Sequence, residues 1–525
     1  MVTQPTTNSF LSAIPAKIKT LPFLLRLFLC LISGMLIAAA LAPVYFTIGA
    51  LIGFSLFYLL LSTFSARAAI TAGWLFGFGY HAIGLYWIGN ALLVEGNDYA
   101  WAWPLAVAGL PALLAFFTAA GAYAFQRFAK ADHISGFILF IAIFSAAEYL
   151  RGTLFTGFPW NLYGYIWGDN IAIMQFASFG GVYGLSLLTI FWCSCIGFLL
   201  LSSMKALKAV AFLCITFVSF SALSFLGSAR IANQPNTYHE DITLKVVQPN
   251  IAQKDKWDPN QANGIFNHFL KLSKTDASSP EDQKTVIIWP ETATRSYIVD
   301  HPDYKEALHN ALPSNGYLLT GYLNRKTKDD DVTFNNSLAV FNNDVELLDI
   351  YHKSHLVPFG EYIPFQKWIP LAPVTRFKGF QSGNGPQTLT SDLPPFSPLI
   401  CYEIIFPSHV TNSQNKPQWI VNVTNDGWYG QSSGPYQHLV QTRFRAIEEG
   451  IPVVRSANTG ISAVIDGYGR TLQSLPLEKQ GVITSQLPLP IAGNTIFSQC
   501  GNWLFLTALL SLLLLCIFGH KKRAA

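Results

Sequence analysis

The sequence predicts a helical membrane domain of about eight spans and an α/β domain that lies outside the membrane. Hydrophobic residues make up 51% of the 525 residues and charged residues only 12%, about half the charged fraction of a typical soluble protein. The charge is also unevenly distributed, because most of the acidic residues lie between Glu240 and Glu478. The chain therefore divides into an apolar N-terminal half, a polar block and a short apolar C-terminal segment.

Eight apolar runs predict the spans of the membrane domain. A helix needs about 20 apolar residues to cross the hydrocarbon core of a bilayer. The buried core of a large soluble protein is the alternative, but such a core does not produce eight runs with so few charges. The runs lie at roughly 21–41, 44–63, 69–92, 104–125, 134–150, 177–201, 207–227 and 503–519. We expect the membrane domain at 1–229, the polar domain at 230–497, and a last span with its tail at 498–525.

The positions of Lys and Arg predict the orientation of the spans. Basic residues lie in every second loop of the eight-span arrangement, whereas 93–103 has none and 151–176 has only Arg151. Because Lys and Arg are enriched on the cytoplasmic side, we expect both termini in the cytoplasm and the polar domain on the exported side. Arg151 lies three residues after Glu148, which favours a structural ion pair on a helix over a contact with a lipid headgroup.

Cys401 differs from the other six cysteines, which lie in predicted spans or, for Cys500, at the membrane boundary. An exported domain with one thiol has no internal disulfide, and a lone thiol is a liability in an oxidising compartment unless it is used. A buried structural cysteine is the ordinary alternative. The residues around Cys401 favour a reactive thiol.

The polar block at 230–497 alternates apolar runs with polar stretches, which predicts strands interleaved with helices in a layered α/β domain. Helices are predicted at Gln261–Lys274 and Ser432–Glu449. Runs rich in β-branched and aromatic residues predict strands at Thr243–Gln248, Thr285–Trp289, Tyr317–Tyr322, Ser337–Phe341, Leu347–Tyr351, Ser397–Tyr402, Trp419–Val423, Val453–Ser456 and Ser462–Ile465.

Three reactive residues lie at the ends of predicted strands. Glu291 lies in IIWPETAT, Lys353 in YHKSHLVPFGEYIP and Cys401 in PLICYEIIFP. A thiol with a free pKa of about 8.5 is mostly protonated at neutral pH and needs a base or a cation nearby. Glu291 could take that proton, and Lys353 could stabilise the oxyanion of a tetrahedral intermediate. A solvated surface charge is the alternative for Glu291 or Lys353 alone, but the three together predict a thioester-forming site.

These segments resemble the nitrilase, or carbon–nitrogen hydrolase, superfamily, whose catalytic set is Glu, Lys and Cys in this chain order. The eight-span frame and further segments extend the resemblance to the apolipoprotein N-acyltransferase family. The resemblance covers the chain from about the third span to the last, and it implies an αββα sandwich for the polar domain. The further segments include VVQPNIAQKDKWDP, VNVTNDGWYG, RAIEEGIPVVRSANTGISAVID and, in the membrane part, EYLRGTLFTGFPWNLYGY.

The resemblance implies acyl transfer in two steps. Members of the family move an acyl chain from a membrane phospholipid, usually phosphatidylethanolamine, to the catalytic cysteine, and then to the α-amine of the diacylglyceryl-cysteine of an apolipoprotein. It implies that Glu291 is the general base, Lys353 the oxyanion-stabilising cation and Cys401 the nucleophile. It also implies a bacterial inner-membrane protein with a periplasmic catalytic domain. Further positions that match the family's site are Trp257, Glu361, Tyr402 and Glu403.

Two other functions fit parts of the sequence. A membrane-anchored amidase would use the same three residues but would pass the acyl group to water rather than to an amine. A transporter would need polar residues inside its spans, and His81 and Glu148 are the few candidates. Aromatic residues of the outer loops could admit acyl chains, although anchoring at the membrane interface is their more common role. They include Phe155, Phe158, Trp160 and Phe365.

We expect no cofactor, metal or nucleic-acid partner. The sequence shows no cluster of metal ligands and no glycine motif that would hold a phosphate, and His438 lies in a predicted helix without a partner. The net charge of +4 is too small to indicate a nucleic-acid partner, and no basic patch has interleaved aromatic residues. The expected partners are the phospholipid donor, the apolipoprotein acceptor and the membrane itself.

Overall fold

A computed structural model describes residues 9–95, 98–274, 283–294, 301–328, 331–364 and 379–521. The contacts within the chain define two compact units. The helical unit comprises residues 1–86, 104–232 and 500–525, and the α/β unit comprises 87–103 and 233–499. The predicted loop residue Phe365 lies outside the described residues.

The helical unit consists of helices, and the α/β unit has helices of its own that cover its sheets. Their bounds are α1 Ser9–Thr20, α2 Phe23–Ala38, α3 Thr47–Leu61, α4 Ala66–Gly84, α5 Leu110–Phe128, α6 Ile134–Thr153, α7 Ile171–Met174, α8 Ala177–Leu201, α9 Ala206–Ile231, α10 Ala262–Ser273, α11 Pro302–His309, α12 Gly434–Glu449, α13 Ile496–Cys500 and α14 Trp503–Lys521. The helical unit contains α1 to α9 and α14.

The described helices include fewer full-length spans than the eight predicted. Four segments are long and apolar enough to cross a membrane. They are Ala100–Phe128, whose C-terminal part is α5, and the helices α6, α8 and α9. Two bent pairs could each form one more span, Ile14–Thr20 with α2 at 119° and α4 with Tyr86–Leu92 at 55°. Helix α3 and the apolar part of α14 are shorter. The 15 residues of α3 extend about 22 Å, less than the core of about 30 Å.

The third predicted span, 69–92, corresponds to α4 and the short helix at Tyr86–Leu92, which are bent by 55° relative to each other. Residues 87–92 belong to the α/β unit, because their polar side chains bind there. The Trp87 indole donates to Gln437 Oε1 at 3.1 Å, and Asn90 Nδ2 donates to the Tyr429 carbonyl oxygen at 2.7 Å. A hydropathy pattern cannot register such distant hydrogen bonds.

Helices α2, α3 and α4 approach each other so closely that their contacts require glycine. A Cβ at Gly34 of α2 would lie 2.0 Å from the Phe76 carbonyl oxygen of α4. A Cβ at Gly53 of α3 would lie 2.5 Å from the Ser33 carbonyl oxygen of α2. Close packing of small residues is the usual basis of helix association in lipid, where burial of apolar surface gives little driving force.

The predicted ion pair between Arg151 and Glu148 is present and structural. Arg151 Nη2 lies 3.8 Å from Glu148 Oε1, and both side chains are buried in α6. Arg151 Nη1 also donates to the carbonyl oxygens of Phe158 and Trp160, at 2.6 and 2.9 Å. Glu148 Oε1 accepts the Tyr163 N–H at 2.6 Å. The pair therefore anchors the chain that follows α6.

The α/β unit contains two sheets in the described residues. The first has the order β11-β1-β2-β3-β4-β5 and the second β10-β9-β8-β7-β6. Strands β1, β2 and β3 are parallel neighbours, as are β6, β7 and β8. The bounds are β1 Tyr238–Gln248, β2 Lys284–Thr294, β3 Gly316–Lys328, β4 Asp331–Phe341, β5 Leu347–His352, β6 Phe396–Ile400, β7 Trp419–Thr424, β8 Val453–Ala457, β9 Ser462–Ile465, β10 Thr471–Leu475 and β11 Gly481–Pro488.

The two sheets pack face to face and helices cover their outer faces. Ile288 and Leu338 of the first sheet share one buried apolar core with Val421 of the second. Phe269 of α10 and Leu308 of α11 pack in a separate core on the other face of the first sheet, and α12 contacts β8 of the second. This αββα sandwich confirms the predicted fold of the polar domain.

Candidate active site

The carboxyl ends of β2, β5 and β6 carry the three predicted catalytic residues. Strands β2 and β5 run in the same direction in the first sheet, and β6 belongs to the sheet that faces it. Glu291 lies where the register between β2 and β3 shifts. Lys353 directly follows β5, and Cys401 directly follows β6. The facing sheets therefore bring the three side chains to one site, although they are far apart in sequence.

The backbone adopts the left-handed region at Cys401 and at the residue that follows Glu291. Cys401 has a φ of 53°, and Thr292, which follows Glu291, has a φ of 45°. Beside this turn of β2, a Cβ at Gly321 would lie 2.4 Å from the Pro290 carbonyl oxygen, so glycine is required. Backbone strain of this kind persists where the surrounding structure holds it, and it is concentrated at active sites.

Lys353 lies between two carboxylates. Its Nζ is 2.9 Å from each oxygen of Glu361 and 3.8 Å from Glu291 Oε1. Asn336 Nδ2 donates to both acids, at 2.7 Å to Glu291 and 3.0 Å to Glu361. The Val357 N–H donates to the other oxygen of Glu361 at 2.8 Å. This network fixes the ammonium and Glu291 side by side.

Burial and charge set the protonation states of the lysine and the thiol. Burial alone would lower the pKa of Lys353, but the charges of Glu361 and Glu291 outweigh it and raise the pKa, so Lys353 stays an ammonium. Burial and the Glu291 charge raise the pKa of the Cys401 thiol to about 12, against the opposing effect of Lys353. A nucleophile at Cys401 would therefore start as a thiol and lose its proton as it attacks, and a carboxylate lies nearby to accept that proton.

The Glu403 carboxylate connects the chain after β5 to the turn after β6. Its Oε1 accepts from the Tyr351 hydroxyl at 2.6 Å, from the Ser354 N–H and hydroxyl at 2.8 Å, and from the His355 N–H at 3.1 Å. Its Oε2 accepts the Ile400 N–H at 2.8 Å. Burial raises the pKa of Glu403, and these hydrogen bonds oppose that rise. The residue holds the geometry of the site through the backbone.

Tyr402 lies in a buried 3₁₀-helix, whereas Trp257 lies in a half-buried segment. Tyr402 was predicted at the end of a strand, but β6 ends at Ile400 and residues 401–405 form a 3₁₀-helix. Its buried ring packs against Phe406, with centroids 5.1 Å apart. Trp257 is half-buried and directly follows Lys256, whose Nζ donates to the Glu291 carbonyl oxygen at 2.7 Å. The segment that carries Trp257 therefore lies beside the site.

Three further residues contact this site that the sequence did not predict. Asn336 bridges two of its carboxylates, as described above. Burial lowers the pKa of Lys256 to about 8, although Glu291 and Cys401 oppose that effect. The Tyr429 hydroxyl is hydrogen-bonded to the Cys401 thiol, and burial followed by the Cys401 charge raises the tyrosine pKa. Asn336 stands next to Leu338 on the inner face of β4, and that polar position in an apolar alternation was the available signal.

His438, for which the sequence offered no partner at metal-ligand spacing, has hydrogen-bond partners in the fold. Its Nδ1 lies 3.0 Å from Asp426 Oδ1 and its Nε2 lies 3.2 Å from the Cys401 carbonyl oxygen. Arg455 Nη2 donates to Asp426 Oδ2 at 2.7 Å. Burial would raise the pKa of Asp426, but Arg455 and His438 lower it well below its usual range. Arg455 comes from β8, and Asp426 and Cys401 come from two short 3₁₀-helices, so helical spacing within α12 could not reveal these partners.

The site can supply a nucleophile, a proton acceptor and a fixed cation. Within the described ranges, no group of three or more His, Cys, Asp or Glu side chains is arranged to hold a metal ion. Cys401, Glu291 and Lys353 are the groups that fit acyl transfer through a covalent intermediate. Glu361 and Asn336 fix the acid and the cation, whereas Glu403 fixes the backbone around them.

The fold and this set of side chains define an enzyme of the carbon–nitrogen hydrolase superfamily. The family model for carbon-nitrogen hydrolases matches residues 244–497, which is nearly the whole αββα sandwich. A crystal structure of an amidase from Nesterenkonia sp. aligns with 49% of this chain and 94% of that chain, at 17% identity and a TM-score of 0.34. A second family model, the apolipoprotein N-acyltransferase N-terminal domain, matches residues 33–196 in the helical unit.

Relatives match both units together. An apolipoprotein N-acyltransferase from Rhodopseudomonas palustris is 37% identical over 466 residues, which cover 87% of this chain and 86% of the relative. One from Allorhizobium ampelinum is 35% identical over 97% of this chain and 99% of the relative. One from Rickettsia typhi is 36% identical over 93% and 97%. The chain belongs to the apolipoprotein N-acyltransferase family, and it is an acyltransferase of the membrane.

Proposed function

We propose that the protein moves a fatty acyl group from a membrane phospholipid to Cys401 and then to the α-amine of the diacylglyceryl-cysteine of an apolipoprotein. The observation that carries the proposal is the buried arrangement of Cys401, Glu291 and Lys353 in a chain whose relatives match it along both units. Phosphatidylethanolamine is the donor we propose. An amine acceptor, rather than water, distinguishes this function from the membrane-anchored amidase.

In the first half-reaction Cys401 attacks the ester carbonyl of the phospholipid. Glu291 takes the thiol proton as the bond between sulfur and carbon forms. Lys353 stabilises the oxyanion of the tetrahedral intermediate. When the intermediate collapses, the ester carbon–oxygen bond breaks and Glu291 returns the proton to the departing oxygen. The products are the acyl thioester on Cys401 and a lysophospholipid.

In the second half-reaction the α-amine of the apolipoprotein attacks the thioester. Glu291 takes a proton from the attacking nitrogen, and Lys353 again faces the oxyanion. Collapse breaks the carbon–sulfur bond, and the departing sulfur recovers the proton from Glu291. The enzyme returns to its resting state with a protonated thiol, which agrees with the raised pKa of Cys401. Splitting one transfer into two steps through a thioester is covalent catalysis with ping-pong kinetics.

The supporting residues hold the proposed catalytic residues in place or border the space where substrate binds. We propose that Glu361 keeps Lys353 charged and in place through its two contacts at 2.9 Å. Glu403 holds the turn that carries Cys401 against the chain after β5. We propose that Trp257 and Tyr402 border the space where substrate binds, because one follows the lysine that contacts the Glu291 backbone and the other follows the nucleophile.

We also propose a location for each unit. The protein would lie in the bacterial inner membrane with its α/β domain in the periplasm and both termini in the cytoplasm. The distribution of Lys and Arg along the chain supports this orientation. The apolar surface of the helical unit supports insertion in lipid, since residues such as Leu207 and Phe225 of α9 are exposed by 81% and 72%. The domain limits we propose remain 1–229, 230–497 and 498–525.

Intact-protein mass spectrometry tests this proposal. The purified protein is incubated with phosphatidylethanolamine in mixed micelles, and we expect a mass increase of one acyl group that is absent from Cys401→Ala. A diacylglyceryl peptide added afterwards should remove the adduct and become N-acylated. Absence of any adduct on the wild-type protein would contradict the function. Discharge of the adduct by water as fast as by the peptide would indicate an amidase instead.

A further inference from the structure

The loop that follows β1 lies at the sheet edge that carries the nucleophile. Asn425 directly follows β7 and donates its side-chain N–H to Gln253 Oε1 at 2.8 Å. Asn458 directly follows β8 and donates to the Ile251 carbonyl oxygen at 2.8 Å. Strands β7 and β8 run parallel to β6, and Cys401 directly follows β6. The ends of the second sheet therefore fix this loop beside Cys401.

Lys256 extends from this loop to the proposed base. Its Nζ donates to the Glu291 carbonyl oxygen at 2.7 Å, and the residue is half-buried. The charges of both Glu291 and Cys401 act on the pKa of Lys256, because the ammonium lies near each of them. The loop therefore places a second cation beside the base and the nucleophile, and this cation keeps enough exposure to meet a bound substrate.

Lys256 differs from Lys353 in its ionic partners. Lys353 contacts both oxygens of Glu361 at 2.9 Å. In the parts of the chain that the structure describes, no carboxylate forms an ion pair with Lys256, and the Glu291 carbonyl that it contacts is uncharged. Burial lowers the pKa of Lys256 to about 8, which is the expected direction for an ammonium without a counter-ion in contact. An anionic group of the substrate would supply that partner.

The two substrates of the proposed reaction would present different groups to this cation. A phospholipid carries its anionic phosphodiester on the same glycerol unit as the ester that Cys401 attacks, so the phosphate comes near the sulfur when the ester does. The diacylglyceryl-cysteine acceptor has a thioether at that glycerol carbon and no phosphate, although its esters are chemically similar to those of the donor. A cation beside Cys401 would therefore recognise the donor alone.

We propose that the Lys256 ammonium binds the phosphodiester of the phospholipid donor and thereby selects the donor in the first half-reaction. An ammonium has three N–H groups. The Glu291 carbonyl accepts from one of them, which leaves two for the phosphate oxygens. Lysine binds phosphate as a point charge, so it recognises the phosphodiester rather than the alcohol attached to it. The inference rests on the function proposed above and adds the part of the lipid that the site recognises.

Two substitutions separate the charge of Lys256 from its place in the loop. Lys256→Gln removes the charge and keeps an N–H donor on a shorter side chain. Lys256→Arg keeps the charge and several donors. Lys254→Gln is the matched control, because Lys254 belongs to the same loop but is exposed and pairs with Glu95 at 3.1 Å.

The assay is single-turnover acylation of Cys401 by three donors in mixed micelles. Phosphatidylethanolamine and phosphatidylglycerol share the phosphodiester but differ in the attached alcohol, and p-nitrophenyl palmitate is an ester without phosphate. For Lys256→Gln we expect the rate at subsaturating donor to fall by about 10- to 100-fold with both phospholipids, because a hydrogen bond to a charged group is lost. The loss should lie mainly in a higher half-saturating concentration, since the contact is present before and during the reaction.

The other rates identify the phosphate as the group that Lys256 recognises. For Lys256→Gln the rate with p-nitrophenyl palmitate should change by less than about threefold, because that donor makes no phosphate contact. Lys256→Arg should keep both phospholipid rates within about fivefold of wild type. Lys254→Gln should match wild type with all three donors.

A structural role for Lys256 would give a different pattern. Equal loss with the phospholipids and with p-nitrophenyl palmitate in Lys256→Gln would show that the lysine only supports the Glu291 backbone, and it would overturn the proposal. Unchanged phospholipid rates would overturn it as well. A loss confined to phosphatidylethanolamine would show recognition of the ethanolamine and would contradict the role of the phosphate.

Folding of the variants is checked by thermal unfolding in detergent. If Lys256→Gln does not fold, Lys256→Arg decides, and a fall of more than about tenfold in its ratio of phospholipid to p-nitrophenyl palmitate rates would refute the inference. A wild-type protein that forms no acyl-enzyme from either phospholipid would instead contradict the proposed function itself.

Discussion

Replacing Glu361 by Gln tests how the lysine charge is maintained. The substitution keeps the size of the side chain and its acceptor for the Val357 N–H, but it removes one negative charge 2.9 Å from Lys353 Nζ. At an effective dielectric constant of about 20, that charge contributes about 6 kcal/mol of attraction, and Glu291 at 3.8 Å contributes about 4 kcal/mol. The burial that favours the neutral amine is unchanged in the variant.

The pKa of Lys353 should therefore fall, because burial lowers it and one of the two charges that raise it is gone. A neutral amine stabilises an oxyanion poorly, so we expect the rate of acyl-enzyme formation to drop by about 10²- to 10³-fold at neutral pH. The sign of the pH dependence follows. Lowering the pH recharges Lys353, so the variant should recover activity on the acid side and lose it as pH rises.

The assay is single-turnover formation of the acyl-enzyme between about pH 6 and 9. Wild type should vary little with Lys353 protonation over this range, because the pKa of Lys353 is raised. Glu346→Gln is the control, since Glu346 is exposed and bonds Asn342 in a distant hairpin. A Glu361→Gln protein with the wild-type rate, or with activity that rises toward high pH, would refute the role we give to Glu361.

The remaining predictions concern the nucleophile, the base, the backbone support and the topology. Cys401→Ser should fold but form little N-acylated product, because its hydroxyl is far harder to deprotonate than a thiol; wild-type turnover would exclude a thiol nucleophile. Glu291→Gln should form no acyl-enzyme with excess phospholipid, and a normal adduct in the mass spectrum would eliminate its role as base. Glu403→Gln should lower the free energy of unfolding by about 1–3 kcal/mol, since one charged acceptor of buried hydrogen bonds is lost; an unchanged denaturant midpoint would contradict that structural role. Reporter fusions after Ala232 and after Arg523 should report opposite sides of the membrane, and the same side for both would contradict the orientation.

The local hydrophobic pattern of the sequence predicted the strands of the α/β domain well where a strand is apolar on both faces. The predicted strand Trp419–Val423 differs from β7 by one residue, because every residue of that strand is buried and hydrophobic periodicity is clear. Strand β10 was missed, since TLQSL is polar and mostly exposed and carries no such signal. The number of spans stays approximate, because hydropathy does not report helix length, and α3 has only 15 residues.

The residues of the candidate site also fall into those that the sequence could predict and those that it could not. Glu291, Lys353 and Cys401 could be predicted because each follows an apolar strand in a family-like segment. Asn336 and His438 could not be assigned a role, because the side chains and carbonyl groups that they contact lie 12 to 45 residues away and become neighbours through the packing of separate elements. Polar contacts between distant elements depend on the fold, and a single sequence does not encode them in any local spacing.

The most direct test of the account is the order of events at Cys401. Labelled phosphatidylethanolamine is added first, the acylated protein is separated from free lipid, and the diacylglyceryl peptide is added second. The account predicts that donor alone yields one acyl group on Cys401 with release of lysophospholipid, and that the isolated acyl-enzyme then transfers this group to the peptide amine. Product that forms only when donor and acceptor are present together, with no acyl-enzyme from donor alone, would contradict the thioester mechanism.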